Sequence, residues 1–159
     1  MPVRVCSLIS NAPQPIPNDG AYHLLRFPFG GAESYDAHGM HPAEQPDGYV
    51  IGDWATDDRS GLIWPSEDGW GALTAIIHWE GGGYTEIRDQ VARDPLGLTE
   101  GGLDTTCTQD RPPTPGGQYL AKHHELFVHP GTPLGVRVRH NDSAPRAVVH
   151  AQFKLAIHT

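Results

Sequence analysis

Cysteine is nearly absent from this chain: Cys6 and Cys107 are the two in 159 residues. Thiols so far apart in sequence define no disulfide framework, and they read as small buried or half-buried side chains. Basic residues are also few, with 11 Lys and Arg against 19 Asp and Glu and a formal net charge of −8. Nucleic-acid binding needs a concentrated basic face, so no nucleic-acid partner is expected. No apolar run approaches the roughly 20 residues of a spanning helix, which argues against membrane insertion. Met1-Pro2-Val3-Arg4 leads into a short alternating segment instead of the apolar core of a secretory leader, so synthesis in a cytoplasm is expected. Sustained helical periodicity is missing too.

Turn-formers are plentiful. With 19 Gly and 15 Pro, the chain must turn often, while 38% hydrophobic residues and four Trp argue for a folded body over disorder. The length suits one domain, residues 1–159. The clearest pattern closes the chain. Val149, Ala151, Phe153, Leu155 and Ile157 alternate with His150, Gln152, Lys154 and His158, as in a strand with one buried face. Leu134, Val136 and Val138 alternate with Gly135, Arg137 and Arg139 just before it, and Asn141-Asp142-Ser143-Ala144-Pro145 supplies the turn.

Other strands are predicted at residues 3–9, 21–27, 49–54, 61–64, 70–79, 84–93, 103–108 and 118–128, with long loops at 30–47 and 111–117. Residues 70–79 make the best central strand, placing Leu73, Ala75, Ile77 and Trp79 opposite Ala72, Thr74, Ile76 and His78. Eight to ten short strands with Gly/Pro turns predict an all-β fold, an antiparallel two-sheet jelly-roll sandwich.

Catalytic patterns are weak. Ten histidines include His38/His41, His123-His124 and His140, and metal-binding cupins share a jelly-roll outline. Alternate residues of a strand share a face, so His-x-His converges on a metal whereas adjacent His123 and His124 diverge. The stretch from Pro133 to His140 places its histidine late and flanks it with arginines, so a cupin-like metal-dependent enzyme is the minor alternative. Cys107 lacks a setting that activates a thiol, the serines lack a nucleophile elbow, and Gly81-Gly82-Gly83 lacks the Lys-Ser/Thr of a phosphate loop. Asp57-Asp58 and Glu67-Asp68 read as turn carboxylates. No catalytic residue, cofactor or metal is assigned, and the expectation is a non-enzyme.

The order of the motifs resembles a known family. Gln14-Pro15-Ile16-Pro17-Asn18-Asp19-Gly20 before residues 24–27, the Tyr35-Asp36-Ala37-His38-Gly39-Met40-His41 loop, Ile63-Trp64-Pro65 with Asp68-Gly69-Trp70, and the stretch from Val128 to Val136 carry the likeness. Together they resemble C1q/TNF-like jelly rolls, especially those of tail and virion surface proteins of bacteriophages infecting actinobacteria. Thr132, Trp70 and the Pro/Gly-rich stretch 96–117 depart from that pattern. The resemblance implies a homotrimer and a structural protein of the virion, acting as a minor tail or tail-tip protein in receptor binding or as a fibre head. Capsid decoration or a head fibre at threefold positions is the alternative placement. The implied partners are other copies of the chain, other virion proteins of tail or capsid, and host cell-surface glycan. His150, Gln152, Lys154, His158 and Ile76 become candidate subunit contacts, and Tyr35, Asp36, His38 and His41 a candidate exposed recognition loop.

Overall fold

The alternation near the end of the chain becomes its longest strand, and most of the architecture is organised on it. A computed structural model describes residues 2–30, 34–112 and 119–159. Through them run β1 (Val3–Ser10), β2 (Gln14–Ile16), β3 (His23–Leu24), β4 (Gly69–Trp79), β5 (Ile87–Arg93), β6 (Asp104–Arg111), β7 (Tyr119–Val128), β8 (Leu134–His140) and β9 (Arg146–His158). One antiparallel sheet has the order β1-β9-β4-β7, with β2 also on β9, and the other has the order β3-β8-β5-β6. β1 and β2 share one side of β9, from Val3 opposite His158 to Ile16 opposite Arg146. Pro15 is tolerated in β2 because that strand lies at the sheet edge, where a missing N–H breaks no second ladder.

The inner faces meet in a shared core. Leu73, Ala75, Ile77 and Trp79 of β4 are buried as the alternation predicts, and so are Ala151, Phe153, Leu155 and Ile157 of β9. Leu134, Val136 and Val138 of β8 face them, and Phe27 from the loop after β3 lies 6.4 Å from Phe153 between ring centres. Burying a Phe or Leu side chain contributes roughly 1.5–3 kcal/mol, so these positions dominate stability.

Val149 departs from its expected place. His78 pairs with His150 but Trp79 pairs with Val148, so a β-bulge inserts Val149 as an extra residue. The bulge reverses parity. Val148 takes the core position and Val149 is only half-buried.

The predicted strands at 49–54 and 61–64 are not strands. Residue 50 makes one bridge to Glu44 and Ile63 one to Leu134, with a 3-10 turn at Asp58–Gly61 between them. Asp53 accepts from the Ala55 N–H at 3.0 Å, and Asp57 from the Arg59 N–H at 3.0 Å. Short acidic side chains thus take backbone donors that a ladder would use. The extended stretch 21–27 forms a ladder only at His23–Leu24, and the strand predicted from residue 84 begins at Ile87. β6 runs to Arg111, past the predicted 108, while most of the loop predicted at 111–117, from residue 113, and residue 118 lie outside the described residues.

Candidate functional site

The outward face of the β1-β9-β4-β7 sheet collects side chains that the sequence scatters over the whole chain. Strand register sets them in rows. His158, Trp70 and Phe127 form one row, Ala156, Ala72 and Glu125 the next, then Lys154, Thr74 and His123, then Gln152, Ile76 and Ala121, and last His150, His78 and Tyr119. Val3, Val5, Ser7 and Ile9 of β1 extend the first four rows. Each of these positions alternates with an inward-facing residue, so burying one face presents the other.

The face is unusually apolar at its corners. Val3, Trp70 and Phe127 are 44%, 47% and 44% exposed at one end and Tyr119 is 61% exposed at the other. Trp70 Nε1 donates to Glu125 Oε2 at 3.2 Å. Tyr119 packs at a tilt against His78 with ring centres 4.4 Å apart and meets His150 edge-on at 5.5 Å. His150 Nε2 accepts from the Gln152 amide at 3.0 Å and its Nδ1 bonds Asn11 Oδ1 at 2.7 Å, which makes Nδ1 the donor. Charge is divided across the sheet. Lys154 stands on β9, and Glu125 on β7, whose other side is the sheet edge.

All five residues expected on this face lie there: Ile76, His150 and Gln152 are half-buried, while Lys154 and His158 are exposed. The loop set divides instead. Tyr35 and His38 are exposed, whereas His41 is buried, stacked 4.4 Å from Phe29 and bonded through Nε2 to the Ser60 carbonyl at 2.6 Å. His41 is therefore not an exposed recognition residue. Asp36 accepts from the N–H groups of Met40 and His41, both at 2.8 Å, so its carboxylate shapes the loop.

Adjacent His123 and His124 diverge as strand geometry requires. His123 is on the outward face near Thr74, while His124 points inward, where burial first, and then Lys122 and Arg93, lower its pKa below the usual 6.5. Among the described residues no group of three His, Cys, Asp or Glu side chains could hold a metal ion. Cys6 is buried and Cys107 half-buried.

One polar feature was missed by sequence reasoning. Lys122 and Asp89, both essentially without exposed side chain, meet between the sheets at 2.9 Å, and Arg111 Nε reaches the other Asp89 oxygen at 2.5 Å. Gln109 accepts from Lys122 at 2.8 Å. The signal was parity, since Lys122 shares its face with Leu120, Leu126 and Val128. This ion group joins the sheets at a point where hydrophobic contact would otherwise do so.

No protein-family model matches the sequence, and no curated protein matches it at a significant level. Solved structures do match the fold. The globular domain of zebrafish complement 1qA superimposes with a TM-score of 0.61 at 10% identity, over 96% of this chain and 94% of that one. Murine APRIL gives 0.58 at 11% identity over 99% and 100%, and the Eiger TNF of S. frugiperda 0.52 at 14% over 100% and 94%. Two antiparallel sheets in this order and likeness along the whole chain identify the fold as the jelly roll of the C1q and tumour-necrosis-factor type.

Proposed function

We propose that the chain is a non-enzymatic structural protein of a bacteriophage particle, a homotrimeric jelly roll displayed on the virion surface as a minor tail or tail-tip protein. The observation that carries self-association is the outward face of the β1-β9-β4-β7 sheet, where four large apolar side chains stand exposed on one surface. A second copy is the occupant that suits it. The ten-residue strand β7 ends the sheet among the described residues, with Arg111 and Arg93 donating to its Ala121 and Phe127 carbonyls and no further strand paired to it, an edge that folded proteins commonly cover. Glu125 stands by that edge and Lys154 two strands away, so head-to-tail packing in a closed ring brings opposite charges together. The C1q and tumour-necrosis-factor likeness supports the same reading.

The virion placement is supported by the phage-like motif order, from the loop at Tyr35 to the turn at Pro130-Gly131. Sedimentation of the isolated protein is expected to give three times the chain mass, and Phe127→Asp to give the monomer with its β spectrum intact. A wild-type monomer at micromolar concentration would end the self-association reading. Mass spectrometry and imaging of purified particles test the placement: density at the tail tip is expected, density at capsid threefold positions selects decoration, and absence from particles removes the virion role.

A further inference from the structure

The chain has nine arginines, and among the described residues seven of them lie within ion-pair reach of an Asp or Glu. The two others, Arg137 and Arg139, are neighbours. They stand two residues apart on β8 and share the outward face of the β3-β8-β5-β6 sheet, opposite Gln90 and Arg88 of β5. Both flank one aromatic ring, with the Tyr22 centroid 5.3 Å from the Arg137 guanidinium carbon and 5.9 Å from that of Arg139. Among the described residues, no carboxylate lies within 4.0 Å of either guanidinium. The nearby acids Glu86 and Asp110 both pair with Arg88, and Glu86 feels the charge of Arg139 only at longer range.

Arg137 is the more telling of the two. It is half-buried, and it spends Nε and Nη2 on one neutral oxygen, Gln90 Oε1, at 3.1 and 2.7 Å. Desolvation lowers its pKa, as expected for a cation drawn out of water without a counter-charge. A chain with net charge −8 has carboxylates to spare, yet none of the described residues pairs one with Arg137. Such a charge is costly unless something anionic completes it.

We propose that Arg137, Arg139 and Tyr22 form a binding site for the oxyanion group of an acidic saccharide. Guanidinium forks match the planar or trigonal oxygens of a carboxylate or sulfate, and the tyrosine, its hydroxyl held by Arg88, offers an apolar face to the sugar ring. The site lies on the sheet opposite the one proposed for self-association, so it needs only the folded chain.

Calorimetric titration at about 50 mM salt, where exposed charges are weakly screened, tests it with three probes. A hyaluronan hexasaccharide presents carboxylates alone, sucrose octasulfate presents sulfates alone, and maltohexaose is neutral. Binding of one or both charged probes is expected, with maltohexaose inert, and which one binds distinguishes carboxylate from sulfate. Arg137→Gln and Arg139→Gln are each expected to weaken it at least about tenfold, the loss of a hydrogen bond to a charged group. Arg139 is the more informative variant because its side chain makes no hydrogen bond to another described residue that folding would miss. Binding should persist in monomeric Phe127→Asp. The proposal is overturned if neither charged probe binds, if Arg139→Gln binds as wild type, or if an oligoglutamate peptide competes equally with the saccharide.

Discussion

Replacing Asp89 by Asn removes one negative charge from between the sheets and almost no volume. Lys122 and Arg111 both depend on that charge, at 2.9 and 2.5 Å, and the Lys122 side chain has no measurable exposure. Breaking a buried ion group by removing one partner typically costs 3–5 kcal/mol, because the remaining cation stays buried without compensation. At roughly 2–4 °C per kcal/mol for a chain of this size, the midpoint of thermal unfolding should fall by about 6–20 °C. Lys122→Met should cost less, since Arg111 still neutralises Asp89. In the double variant Asp89→Asn/Lys122→Met the share of the loss due to Lys122 should return, because the fully buried cation is gone, while Arg111 remains charged but partly exposed. Guanidinium-induced unfolding of the four proteins, followed by tryptophan fluorescence, measures the coupling directly. A cost below about 1 kcal/mol for Asp89→Asn, or strict additivity in the double variant, would refute the ion group as a link between sheets.

Three further outcomes are expected. Phe153→Asp should abolish folding by placing a charge at a fully buried position, whereas Gln152→Asp, on the opposite face of the same strand, should fold with native circular dichroism; a folded Phe153→Asp protein would contradict the register. Gly61→Ala should destabilise by at least about 1–3 kcal/mol, since its Cβ would lie 2.1 Å from the Leu25 carbonyl oxygen, and an unchanged denaturation midpoint would contradict that packing. Asp142, bonded by Arg146 and by the N–H groups of Gly83 and Ser143, has its carboxyl lowered from 3.8 to about 2. Its folded pKa lies below the unfolded one, so its contribution is present above pH 3.8 and is lost as pH falls through about 2. Acid unfolding of Asp142→Asn should be flatter across that window than wild type, and an identical slope would count against the linkage.

Strand parity was legible wherever a ladder continued without interruption. The buried faces of β4 and β8 follow from period-two alternation, and so does that of β9 from Ala151 onwards. The outward set Ile76, His150, Gln152, Lys154 and His158 follows from the same pattern. Parity failed at Val149 because a bulge is a property of two paired strands, and one strand's sequence does not contain its partner's register. The stretch 49–64 misled for a related reason: its aliphatic and aromatic residues suggested ladders, but Asp53 and Asp57 bind local N–H groups and Trp64 packs with Leu24 and Leu62 over the second sheet. His41 reads as a polar loop residue from sequence alone, whereas the fold buries its ring in a stack on Phe29.

Composition and alternation by themselves determined an all-β chain of many short strands, its principal buried face, and the absence of a convergent histidine motif. Those depend on residues close in sequence, where sterics and side-chain direction act locally. Only the tertiary structure decided which distant residues meet. It placed Lys122 against Asp89, spread aromatic side chains over one outward sheet face, and left Arg137 and Arg139 beside Tyr22 with no carboxylate of the described residues within ion-pair reach. Strand order and register across two sheets set those encounters, and the long-range pairing that fixes them is carried by no single segment.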